Sequence, residues 1–230
     1  MFGAGRAEER ILAEKMQPIQ LWGGKIGEGV DGQGARSKFP KWQMTDTFAL
    51  LLPPSSWPAC ILDFMKKALE VLNDLERKRL LLRYAIGGAM GATFYIEPVL
   101  TYDLDIFIVI PEEGGHILNP LGPIYLELKR KGYAEVGECV EIEGVPVQFL
   151  PVYNALLKEA LTEAREVFYD SVPTRVLTLE HLTAICVQTG RPKDRDRVRL
   201  IREEAKLDME KLRPILKKHG LERRWSEWTM

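Results

Sequence analysis

The chain has 230 residues, of which 46% are hydrophobic and 28% charged, with a formal net charge of -1. That balance describes an ordinary globular protein and excludes a global electrostatic pull toward nucleic acid or membrane. Three cysteines (Cys60, Cys139, Cys186) and three histidines (His116, His181, His219) lie far apart with no CxxC spacing, which excludes a zinc-finger ligand set and a disulfide framework.

Residues 1–57 mix six glycines between Gly23 and Gly34 with scattered charge and lack sustained periodicity, so they read as a disordered leader with a weak helix over 7–16. Glu8, Glu9 and Arg10 interrupt any signal-peptide core, and Pro53, Pro54 and Pro58 break the apolar stretch 47–62. No membrane segment is expected, and a reducing cytoplasm fits the cysteine usage.

From Pro58 onward the pattern is regular. Ile61, Phe64, Met65, Leu69, Leu72 and Leu75 recur at helical spacing, predicting a helix that ends near Arg79. A short strand over 82–86 runs into Gly87 and Gly88, and a helix over 89–95 opens directly after the glycines. Residues 102–110 carry the run Ile106, Phe107, Ile108, Val109, Ile110, a strand buried on both faces. A loop over 111–120 holds His116, which reads as a surface residue rather than a base. A helix over 121–131 follows, then strands over 134–142 and 145–150 about the hairpin signal Glu143-Gly144. Helix 154–165, a short strand over 175–177, and helix 179–189 capped by Thr178 come next. Pro192 opens another helix, and Asp208 caps a last one that stops at Gly220. The element order describes an α/β (α+β) protein: a small mixed sheet with helices packed on it over 58–178, and a helical C-terminal segment over 179–230 packed on that core. Within the tail, Trp225 and Trp228 are expected to dock the final helix on the core rather than stack bases.

Asp103 and Asp105 are two apart on a strand, so both carboxylates project from one face. Two such groups repel unless a cation lies between them, and Mg²⁺ prefers oxygen ligands; the alternative is a solvated acidic entrance to the strand. Gly87 and Gly88 join a strand to a helix, which allows a phosphate to approach the backbone closely or simply makes a tight turn. Arg191, Lys193 and Arg195 follow Gly190 and either meet phosphates or RNA or line an exposed helix face. Residues 191–230 hold 13 Lys/Arg against 8 Asp/Glu, so this segment is the basic part of the chain.

The stretches YAIGGAMGA (84–92) and TYDLDIFI (101–108) resemble the signature of the minimal nucleotidyltransferases of the DNA polymerase beta superfamily, including AbiEii-type toxins. VPVQFLP (145–151) is similar to that family's third strand. VLTLEHLTA (176–184) with GRPKDRDR (190–197) is similar to its C-terminal helical segment. The resemblance covers roughly residues 59–205. It implies a nucleotidyltransferase-type sheet, Mg²⁺ on Asp103 and Asp105, a nucleoside triphosphate held at Gly87 and Gly88, and transfer of a nucleotidyl group to a hydroxyl of RNA, protein or a small molecule. An antitoxin-type partner is implied for the toxin members. Two departures stand out. Gln148 occupies the place of the third carboxylate, and Cys186 stands where related toxins often carry lysine. Glutamine offers a carbonyl oxygen but accepts no proton, so the resemblance equally admits a nucleotide- or RNA-binding module that has lost the chemistry.

Overall fold

Eight helices and seven strands alternate along the residues that the computed structural model describes, 59–97, 101, 103–111 and 119–230. The leader read over 1–57, its weak helix and His116 lie outside the described residues. Helix α1 (Ala59–Arg77) leads through a turn into β1 (Arg83–Ile86), and the five-residue helix α2 (Gly88–Ala92) follows at once. Next come β2 (Leu104–Val109), α3 (Gly122–Arg130), β3 (Ala134–Val136), β4 (Cys139–Ile142), β5 (Val145–Pro151), α4 (Ala155–Thr162), β6 (Arg165–Tyr169) and β7 (Val172–Val176). The chain finishes with α5 (Leu179–Thr189), α6 (Pro192–Glu204), α7 (Met209–Lys218) and α8 (Glu222–Thr229).

The strands form one mixed sheet in the order β3-β4-β5-β2-β1-β7-β6. β2 sits in the middle, antiparallel to β1 and parallel to β5. Its apolar run is buried as expected, with Ile106 and Ile108 at 0% exposure. Alternation along the strands divides the core. Tyr84, Ile86, Leu104, Ile106, Ile108, Val147 and Phe149 face α1 and α3, where Met65, Leu69, Leu72, Leu75, Ile124 and Leu128 cover them. Ala85 and Phe107 face the other way and pack under Leu157 and Leu161 of α4 and Leu182 of α5. These helices cover only part of the second face, and the rest of it is where Asp103 and Asp105 point.

Several elements depart from the sequence expectation. The strand read over 134–142 is two strands, because Gly137 (φ +62) turns the chain back and pairs β3 with β4. Helix α4 stops at Thr162, three residues short, and Arg165 starts β6, an edge strand paired only through β7. The Asp208-capped helix is followed by α8, whose Trp225 and Trp228 pack half-buried on the cluster around Leu212, Ile215 and Leu216.

Three helices meet at one carboxylate. Glu159 of α4 bonds His219 Nε2 (2.8 Å) and Lys218 Nζ (2.8 Å) from the end of α7. His181 of α5, with its side chain 5% exposed, lies 3.8 Å away. Burial pulls the imidazole of His181 below its ordinary value of 6.5, more strongly than Glu159, Glu163 and Glu180 raise it. Although burial opposes ionisation of Glu159, its bonds from Lys218 and His219 hold the carboxyl below the ordinary range. The signs agree. Below about pH 6.5 the unfolded chain takes up a proton at His181 that the fold resists, so stability falls with pH; Glu159 adds to the loss at lower pH. Melting temperature is therefore expected to drop between pH 7 and 5. In His181→Leu the slope over that interval should flatten; an unchanged slope would exclude His181 as its source.

Candidate functional site

Leu104 and Ile106 are drawn into the core on one side of β2, which leaves Asp103, Asp105 and Phe107 on the opposite side. Asp103 immediately precedes the strand, and its Oδ1 accepts a bond from Thr101 Oγ1 (2.9 Å). Asp105 is half-buried. Burial first, and the charge of Asp103 second, push its carboxyl up to about 6, against the opposing influence of Arg197, Lys193 and Arg191. Two acids are thus crowded at the sheet surface, with three cations facing them.

The glycine bend presses on the same spot. Gly87 N–H donates to the Asp105 carbonyl (2.9 Å), so the sheet consumes that donor and it is not free for a phosphate. Gly88 has φ +58, and a Cβ there would run into the Asp105 carboxylate. Gly88, Ala89 and Met90 precede the first intrahelical bond, from Gly91 N–H to Gly87 O (2.6 Å), so their N–H groups lack helical partners. With only five residues α2 has little dipole. What the bend supplies is close access to backbone.

On the other side of β2, Gln148 of β5 lies directly opposite Asp105 in the parallel register. Its Nε2 donates to Glu138 Oε2 (3.0 Å). Of the two acids near the hairpin, Glu141 lines the cleft, whereas Glu143 accepts a bond from the Tyr133 hydroxyl (2.7 Å). Among the described residues no group of three or more His, Cys, Asp or Glu side chains is gathered to hold a metal. A dedicated protein cage is therefore not what the donor set fits. Two carboxylates on one face do fit Mg²⁺, which is commonly bound through one or two carboxylates together with substrate phosphates and water.

Arg191, Lys193 and Arg197 come from the start of α6 and line the cleft. Arg195 is exposed and lies outside its wall. Asp194, only 1% exposed, organises the arginines: it accepts Arg191 Nε (2.7 Å) and Arg191 Nη2 (3.2 Å), and Arg197 Nη1 lies 3.5 Å away. Arg197 was not among the candidates from sequence, although it recurs at i+3 from Asp194, the spacing of a helical ion pair. Its Nη1 also lies 3.9 Å from Cys186 Sγ, so a guanidinium of α6 sits over the α5 position where the toxin resemblance placed a lysine. Burial pushes the Cys186 thiol up to about 11, which leaves it unsuited to act as a nucleophile.

The two aspartates, Gly88, Gln148 and the cations Arg191, Lys193 and Arg197 border one cleft of about 910 Å³ between the open face of β2, β5 and β4 and the overhanging α5 and α6. Its outer rim carries Val136 and Tyr153, which are 60% and 82% exposed. The structure brings Gly88, Asp103, Asp105, Arg191 and Lys193 to that cleft, with Gly87 one residue behind it. Among the described residues no helix is long and apolar enough to cross a membrane.

No protein-family model matches the chain, and no curated protein sequence matches it significantly. Among solved structures it is similar to the antibiotic-resistance factor ANT(2'')-Ia, with 17% identity and a TM-score of 0.43 over 73% of this chain and 94% of that one. At that level of agreement the functional reading rests on this chain's own residues, on a seven-stranded mixed α/β sheet that carries two acids and a glycine bend at one cleft.

Proposed function

We propose that the cleft binds a nucleoside triphosphate with Mg²⁺ and transfers its nucleotidyl group to a hydroxyl acceptor. The observation that carries this reading is the convergence of opposite requirements at one place. Asp103 and Asp105 are crowded on one face of the strand, and a backbone bend too tight for a side chain presses on Asp105. Arg191, Lys193 and Arg197 face them across the gap. A lone anion would be repelled by the acids, and a lone cation by the arginines. A metal–polyphosphate complex satisfies both sets.

In this site Asp103 and Asp105 would hold the Mg²⁺, which when bound supplies neutralisation and orientation of the phosphates. Gly88 lets the phosphate chain lie against backbone N–H groups without a Cβ in the way. Arg197, Lys193 and Arg191 balance the phosphate oxygens and the charge that builds on the departing pyrophosphate. Asp194 fixes the guanidinium heads of the two arginines at the cleft wall.

Gln148 favours a second reading, a module that binds nucleotide or RNA without turning it over, since an amide beside Asp105 takes no proton. One assay separates the two. Purified protein is incubated with α-labelled NTPs, Mg²⁺ and total RNA or total protein, the acceptor classes suggested by the toxin resemblance, beside Asp103→Ala/Asp105→Ala. Label transfer abolished by the double substitution supports the enzyme. Transfer that survives it removes the assigned site. Mg²⁺-dependent nucleotide binding without transfer favours the module. The toxin resemblance also implies an antitoxin-type partner, whose co-purification would extend the first reading.

A further inference from the structure

Moving a nucleotidyl group to a hydroxyl requires somewhere for the hydroxyl proton to go. Asp103 and Asp105 are committed to the cation in the proposed site, Asp194 is committed to Arg191 and Arg197, and Gln148 has no basic oxygen of the needed strength. One hydrogen bond beyond Gln148 stands a carboxylate that no sequence pattern singles out. β3 ends at Val136, Gly137 reverses the chain with φ +62, and Glu138 therefore sits in the turn that folds β4 back along β3, at the end of β4 that lies beside Gln148 of β5. There its Oε2 accepts the Gln148 amide at 3.0 Å.

We propose that Glu138 is the general base of the transfer, held at the edge of the cleft by its bond from Gln148, which lines it; this rests on the nucleotidyl-transfer reading above. Neighbouring strands lie about 4.8 Å apart, so Gln148 starts one strand spacing from Asp105, and its amide spans the further distance to Glu138. An amide N–H₂ only donates, so the bond orients the carboxylate with Oε2 toward Gln148 and leaves Oε1 to a substrate hydroxyl. Cys139, the residue after Glu138, lines the cleft, and its thiol feels the charges of Asp103, Asp105 and Glu138, which places the turn beside the aspartate pair. The arrangement also avoids a conflict. A third carboxylate on β5 beside Asp105 would add to a pair already crowded, whereas Glu138 stands off that pair and is exposed, so it can return its proton to water.

In the step itself the acceptor O–H gives its proton to Glu138. The freed oxygen lone pair forms the bond to the α-phosphorus while the α–β bridging P–O bond breaks. Pyrophosphate leaves with that electron pair.

The test uses the full chain and α-labelled NTP with the acceptor fraction that takes label. Glu138→Gln is expected to lower kcat by about 10²–10⁴-fold while calorimetry shows Mg·NTP affinity within about twofold of wild type, which also reports an intact fold. Glu138→Gln/Gln148→Glu, which returns an acid to the strand position, is expected to recover at least tenfold of that loss. Glu141→Gln, an acid on the cleft wall without a bond to Gln148, serves as the comparison and is expected to stay within about threefold. If wild type transfers label and Glu138→Gln transfers it equally well, or if the loss follows Glu141 instead, the assignment of Glu138 is overturned. A wild type that transfers no label overturns the nucleotidyl-transfer reading itself, before any variant is compared.

Discussion

Gly88→Ala is expected to destabilise the protein by about 2–5 kcal/mol and to abolish Mg²⁺-dependent nucleotide binding. Two costs superpose. At φ +58 an alanine pays the left-handed penalty of about 1–2 kcal/mol. Its Cβ would also lie 2.6 Å from Cγ and 2.8 Å from Cβ of Asp105, closer than real carbons pack, and would overlap the carboxylate oxygen. Asp105 is held on both sides, in register with Gln148 of β5 and through its carbonyl by Gly87 N–H, so its side chain has to rotate away rather than the backbone yield. Rotation takes the carboxylate off the face it shares with Asp103. Gly220→Ala isolates the first cost: Gly220 has φ +66 with no heavy atom within 4 Å of an added Cβ. That variant is expected to lose only about 1–2 kcal/mol and to bind nucleotide normally. For a protein of this size the Gly88 loss corresponds to a fall in melting temperature of roughly 5–15 °C. Equal melting temperatures for the two variants would mean that Gly88 does not press on Asp105, and the candidate site would lose its geometry.

Much of this site was legible in the sequence because it follows from strand periodicity, which is local. Two aspartates spaced by one residue ahead of an apolar β-branched run had to share a face once that run was buried, and Leu104 and Ile106 at 0% exposure impose it. Likewise, Thr178 and Asp208 cap α5 and α7 through side-chain oxygens, each accepting backbone N–H bonds, because capping depends on neighbours within three residues. What escaped detection depends on contacts distant in the chain. β6 has a run of mixed polarity, Arg165 to Tyr169, that becomes a strand only by pairing with β7. The end of α4 reads as helix by propensity, and tertiary pairing overrides it. Arg197 looked like one charge in a basic helix until the fold placed it over Cys186 and opposite Asp105. Glu138 was hidden by the turn at Gly137, since an uninterrupted strand over 134–142 would have carried it away from Gln148.

Asp105→Asn should make the protein inactive and, without metal, more stable. The carboxyl is pushed from an ordinary 3.8 up to about 6, so the fold holds it in its charged form at a cost. Below pH 3.8 both folded and unfolded chains carry the proton and no penalty exists. Between 3.8 and about 6 the unfolded chain gives up the proton first, and stability falls as pH rises. Above 6 the full penalty stands, on the order of 3 kcal/mol. An uncharged amide of the same shape removes the burial cost of the charge and the repulsion from Asp103, while leaving its own N–H₂ to be bonded. A net gain of about 1–3 kcal/mol at pH 8 is expected, or roughly 3–10 °C in melting temperature with chelator present. Adding Mg²⁺ and NTP should reverse the order. Wild type gains about 2.7 kcal/mol at ligand concentrations a hundredfold above its dissociation constant, and the variant, having lost a ligand, gains little. The crossing of the two melting curves is the diagnostic. A variant destabilised in chelator would show that Asp105 is held by favourable bonds rather than by strain, and one stabilised by Mg·NTP as much as wild type would place the metal elsewhere. A site that costs the empty fold stability and returns it on binding its ligand is what a cation-requiring pocket demands, since acids relaxed before the metal arrived would bind it weakly.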